Sequence, residues 1–100
     1  MKICKVVGNV WATKKDPDLE GAKLMLVTPL YDSKKTTVVA ADYVGAGIGE
    51  KVLVVTGSTA RYASKKSAPV DASIVGIIDQ IDIDPEEKKE LPGGLNHESS

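Results

Sequence analysis

Three glycines at alternate positions, Gly45, Gly47 and Gly49, come nearest to a chemical signature in this chain. A glycine-rich turn can cradle a phosphate when backbone N–H groups and a helix N-terminus converge on it, as in G-x-G-x-x-G after a strand. The spacing here is G-x-G-x-G, and Lys51-Val52-Leu53-Val54-Val55-Thr56 follows. That run is β-branched, short and closed by Gly57, so it reads as a strand and supplies no helix N-terminus. The Gly-Lys-Ser/Thr of a P-loop is also missing. The glycines are therefore expected to serve a loop that needs positive φ and close backbone approach.

The other reactive side chains keep little company. Asp42 and Glu50 flank the glycine loop and suggest an acid pair, but turn acceptors or solvent-facing charges are the simpler reading. Asp79 shares strand parity with Ile77 and Ile81. On an apolar face it would need a partner such as Arg61; at a strand end open to water, the favoured reading, it needs none. Cys4 reads as a small buried hydrophobe, and His97 sits near the end of a polar segment. Metal sites require several such ligands at set spacing. No catalytic residue, metal or cofactor is expected.

The elements that would carry these residues are strands. The chain has 100 residues, enough for one small domain with a modest core, and small domains often gain stability by associating. Its aromatics are Trp11, Tyr31, Tyr43 and Tyr62, so aliphatic side chains must fill the core, which favours β structure. Residues 1–13 form a first strand, with Cys4, Val6, Gly8, Val10 and Ala12 on the interior parity and Gly8 allowing a bend. Ile3, Val7 and Trp11 then form an outward apolar stripe, suited to an interface unless another part of the fold covers it. Further strands are expected over residues 23–28, 36–41, 52–55 and 74–83. Ser58 can cap a short helix carrying Arg61 between the fourth and fifth strands. Residues 1–84 make the domain, and residues 85–100 form a polar, flexible tail.

This order predicts an all-β fold, a small five-stranded OB-like Greek-key barrel with one short helix between strands 4 and 5. Barrels of that kind often bind single-stranded nucleic acid, but fold does not settle function. A formal net charge of −1, no long basic run and scattered aromatics argue against a nucleic-acid or membrane-surface partner. No apolar run is long enough to span a bilayer, no signal-peptide pattern is present, and the single cysteine fits a reducing compartment. A cytosolic interaction or structural module is the expectation.

Five segments, in order, carry a family resemblance. They are Val7-Gly8-Asn9-Val10-Trp11-Ala12-Thr13 with Leu19-Glu20-Gly21-Ala22-Lys23-Leu24; Val27-Thr28-Pro29-Leu30; Asp42-Tyr43-Val44-Gly45-Ala46-Gly47-Ile48-Gly49-Glu50 with Val52-Leu53-Val54; Gly57-Ser58-Thr59-Ala60-Arg61; and Pro69-Val70-Asp71-Ala72-Ser73-Ile74-Val75-Gly76-Ile77-Ile78-Asp79. Together they resemble the EutN/CcmL-type vertex proteins of bacterial microcompartment shells. Thr59 stands where serine is common and Ala41 where valine is frequent. The resemblance implies a β-barrel forming a homopentamer that caps the corners of a carboxysome or metabolosome shell in the bacterial cytoplasm. It also implies hexameric shell-tile proteins as partners and a structural role rather than an enzymatic one. From strand parity and surface logic, Ile3, Val7 and Trp11 are candidates for one side of the ring contact. Gly45, Gly47, Gly49, Ser58 and Arg61 are candidates for the other side or for the central opening.

Overall fold

Alternation of apolar and polar side chains is realised as five strands in the computed structural model, which describes residues 1–12, 23–57 and 71–87. These are β1 (Lys2–Val10), β2 (Lys23–Pro29), β3 (Val38–Asp42), β4 (Lys51–Thr56) and β5 (Ala72–Ile78). They close into a barrel in the order β1-β2-β3-β5-β4. Every pairing is antiparallel except β3 with β5, which run parallel through Ala41↔Ser73 and Asp42↔Ile74. The expected all-β, OB-like barrel is therefore present. The short helix expected after Gly57 falls outside the described residues.

The core is the set of inward positions. Cys4 and Val6 of β1 meet Met25 and Val27 of β2, Val52 and Val54 of β4, and Ile74 of β5. Ala40 and Ala72 contribute small side chains, as does Ala46 from the glycine loop. Mixing small and branched residues fills a narrow barrel without Phe. Each buried valine, isoleucine or methionine stabilises the fold by about 1.5–3 kcal/mol.

Two irregularities shape the outer surface. The β1–β2 register shifts between Val6 and Gly8, leaving Val7 as the extra residue of a bulge. A second shift lies between Leu53 and Val54 on β4, opposite Val75. Bulges bend strands and help a sheet to close. The first also corrects the simple parity of β1. Val6 pairs with buried Val27, but Gly8 and Val10 pair with Leu26 and Leu24, which alternate with Met25 and Val27 and so face outward. A Cβ built on Gly8 would lie 3.3 Å from Leu26 Cδ1, which places both on the same outer face. One extra residue moves the rest of the strand to the opposite face.

Strand limits differ from expectation most in β1, β3 and β5. β1 stops at Val10 and β3 starts at Val38. β5 begins at Ala72 and stops at Ile78 rather than residue 83. Ile78 already pairs with Lys51, the first residue of β4, so no ladder partner remains beyond it. The alternation itself continues: Ile81 and Ile83 are half-buried, while Gln80, Asp82 and Asp84 are exposed.

Candidate functional site

The glycine loop between β3 and β4 is built on one carboxylate. Asp42 ends β3 with only 2% of its surface exposed. Its Oδ1 accepts the backbone N–H groups of Val44 at 3.0 Å and Gly45 at 3.1 Å, and its Oδ2 accepts that of Ala46 at 2.8 Å. Three N–H donors are the kind of compensation a buried carboxylate needs. Lys23, opposite Asp42 in the β2–β3 register, brings Nζ to 3.8 Å from Oδ2 and donates to the Ala46 carbonyl at 3.3 Å. Its mostly exposed side chain keeps the ammonium in water while it offsets the buried charge.

Glu50 closes the other end. Its Oε1 accepts the Gly47 N–H at 2.6 Å, and its own N–H donates to the Gly47 carbonyl at 3.1 Å. The loop then docks on β1: the Gly49 N–H donates to the Val6 carbonyl at 2.8 Å, and the Val6 N–H donates to the Glu50 carbonyl at 2.9 Å. Gly45 and Gly49 have φ of 89° and 94°, so both occupy the left-handed region. Gly47 is small for a different reason, since a Cβ there would lie 3.3 Å from Glu50 Oε1.

These contacts decide the chemistry. A phosphate cradle needs free N–H groups converging outward. Here the loop's donors are turned onto Asp42, Glu50 and Val6, and two carboxylates occupy the places an anion would take. The expected loop role of the glycines is borne out, and so is the turn-acceptor reading of both acids.

Other chemistry-bearing groups are similarly committed. Cys4 is buried, and burial pushes its thiol up from the ordinary value of 9.0, against nucleophilic use. Asp79 is exposed just past the end of β5, as expected of a strand end open to water. A shallow cleft of about 260 Å³ is lined by Met1, Lys2, Ile3, Pro29, Tyr31 and Asp32. Lys2 Nζ donates to Asp32 Oδ2 across it at 3.2 Å. The Lys34 N–H, and then Lys2, hold the Asp32 carboxyl below the usual 3.8, so it is no general acid. Among the described residues no group of three or more His, Cys, Asp or Glu is placed to hold a metal ion.

What remains is surface for contact. Ile3 is half-buried beside its outward neighbour Leu53. Val7 is 47% exposed at the bulge, and Trp11 is 91% exposed just beyond β1. The bulge breaks the regular stripe that would have joined these three. Gly45, Gly47 and Gly49 present Ile48, 61% exposed, at the loop. Ser58 and Arg61 fall outside the described residues. Simple parity missed Gly8, Leu26 and Val39, which follow one another across the outer register. The apolar character of β2 on both faces was the available signal.

The family model described as "Ethanolamine utilisation protein EutN/carboxysome" matches residues 1–79. The chain is 41% identical over 88 residues to the carboxysome shell vertex protein CcmL of Synechococcus elongatus, covering 84% of this chain and 89% of that protein. It is 39% identical over 85 residues to the bacterial microcompartment shell vertex protein EutN of Escherichia coli, covering 81% and 90%. Among solved structures it is similar to the pentameric microcompartment shell protein GrpN of Rhodospirillum rubrum. That likeness has a TM-score of 0.72 and 39% identity, over 84% of this chain and 99% of that chain.

Proposed function

This chain belongs to the EutN/CcmL family, and from that membership we propose that it is a pentameric vertex protein of a bacterial microcompartment shell. The observation that carries this reading is the family match over residues 1–79, joined to similarity with a pentameric shell protein along nearly its whole length. The protein sits in the shell within the bacterial cytoplasm and acts through geometry. A flat layer of hexagonal tiles cannot close, and a pentagonal unit at each corner supplies the missing curvature. A five-fold ring needs two different faces on each copy that meet after a fixed rotation, which is a heterologous contact that closes.

The barrel domain of residues 1–84 is the tile; residues 88–100 of the expected tail lie outside the described residues. Hexameric shell proteins are its neighbours around the ring. The work is structural rather than enzymatic: the loop acids are spent on backbone N–H groups, and the Cys4 thiol is buried. The single-stranded nucleic-acid alternative gains no support. The outward Lys5–Lys51 pair is followed along β1 and β4 by Ile3 and Leu53, not by the stacking aromatics that such binding uses.

Native mass spectrometry of the purified chain tests this reading. A dominant pentamer at near-physiological salt is expected. A clean monomer at high concentration overturns it.

A further inference from the structure

The barrel is not closed equally all the way round. β3 and β5 meet only at Ala41↔Ser73 and Asp42↔Ile74. β3 ends there, but β5 runs on through Val75, Gly76, Ile77 and Ile78. This half of β5 is held by β4, through Leu53↔Gly76, Val52↔Ile77 and Lys51↔Ile78. On its other side it has no ladder partner among the described residues. The glycine loop that leaves β3 does not replace one. It crosses the barrel mouth on the β2–β1 side, where the Ala46 carbonyl accepts from Lys23 and the Gly49 N–H donates to Val6. Among the described residues, no backbone hydrogen bond from that loop reaches β5. Ile77 marks the same gap independently. It stands opposite Val52, which is wholly buried, so both lie on the inward face, yet Ile77 is 37% exposed.

We propose that the free edge of Val75–Ile78 is a docking site for an extended, basic segment of a partner protein, added to the sheet as a short strand. Unpaired N–H and C=O groups along a strand edge are a template for another strand, and full barrel closure is what normally removes them. In such strand addition the main-chain bonds supply affinity and alternate side chains supply specificity. Two features define the occupant. An apolar side chain on the added strand covers Ile77, which the barrel leaves half open. Just past the edge, Asp79, Asp82, Asp84, Glu86 and Glu87 are all exposed, and residues 79–87 contain no Lys or Arg. Lys or Arg at the end of the segment that overlies this run completes the match, and an acidic segment is repelled. At about 3.3 Å per residue the edge is ~13 Å long, which suits a segment of about four to six residues. This site is separate from shell closure and does not depend on the number of copies in the ring.

The test uses the full chain and a labelled peptide, acetyl-Lys-Lys-Val-Thr-Val-Thr-Lys-Lys-amide, whose basic ends serve either strand direction. Fluorescence anisotropy should show saturable binding with a Kd on the order of 100 μM, weak because so short an edge is paired. Hydrogen exchange should slow at the amides of residues 75–78. Methylating alternate backbone nitrogens of the peptide should weaken binding at least tenfold, a loss that a merely electrostatic contact would not show. Replacing its lysines with glutamates should abolish binding. Asp79→Lys, at an exposed position, should weaken it at least threefold. No saturable binding at about 1 mM peptide, equal binding of the methylated or acidic peptide, or protection confined to residues other than 75–78 overturns the proposal. Native mass spectrometry of the same samples reads the assembly separately, so a monomeric chain that binds the peptide overturns the pentamer reading and upholds this one.

Discussion

The Asp42 carboxylate accepts the backbone N–H of Ala46 at 2.8 Å, and through that bond the end of β3 fixes a residue that is itself part of the barrel core. Val44 and Gly45 donate to the same carboxylate, so one side chain sets the path of the first half of the glycine loop. The loop is thereby an extension of the core rather than a loose connection. Gly49 and Glu50 are bonded in turn to Val6, which ties the second half of the loop to β1.

Asp42→Ala should be the most damaging single change in the loop. It strands three N–H donors, and losing a buried, charge-assisted network costs ~3 kcal/mol or more. Chemical denaturation is the measurement. Lys23→Met should cost far less, because the carboxylate keeps its three N–H donors.

The three loop glycines should separate by backbone conformation. Gly45→Ala and Gly49→Ala force a side chain into the left-handed region, at about 1–2 kcal/mol each. Gly47→Ala needs only a small movement of the Glu50 side chain and should stay within about 1 kcal/mol of wild type. Thermal melts of the three variants check the order.

Cys4 should be silent toward thiol reagents in the folded protein and react fully on unfolding. Burial raises its pKa above 9.0 in the native state, so between that value and the raised one the unfolded chain binds fewer protons. Its contribution to stability is therefore constant below pH 9 and declines as pH rises further. Cys4→Ala should flatten that alkaline decline, as read by denaturation midpoints from pH 8 to 10.

The Tyr43 hydroxyl is buried and has no hydrogen-bond partner among the described residues. Removing an unsatisfied polar group while keeping the ring is nearly neutral or stabilising. Tyr43→Phe should leave the melting temperature unchanged or raise it, and its pentamer fraction should match wild type.

Period-2 alternation was legible in the chain, and with it the inward set of Cys4, Val6, Met25, Val27, Val52 and Val54. A strand's hydrophobic face is a local property, set by side chains two residues apart. The same holds for the glycine loop, where a strand rather than a helix after Gly49 already removed the phosphate reading. The ordered motifs likewise sufficed for the family. The tertiary structure alone decided which face the rest of β1 presents. Gly8 marks a bend in the strand, but that Val7 is the extra residue is defined by how β1 registers against β2. It also decided where β5 ends, because Ile78 exhausts the length of β4 rather than its own apolar pattern. Asp42 was legible as a turn acceptor, but the number of donors it gathers depends on how the loop closes over the core. Registers, strand ends and loop closure are relations between distant segments, and only the folded chain brings those segments together.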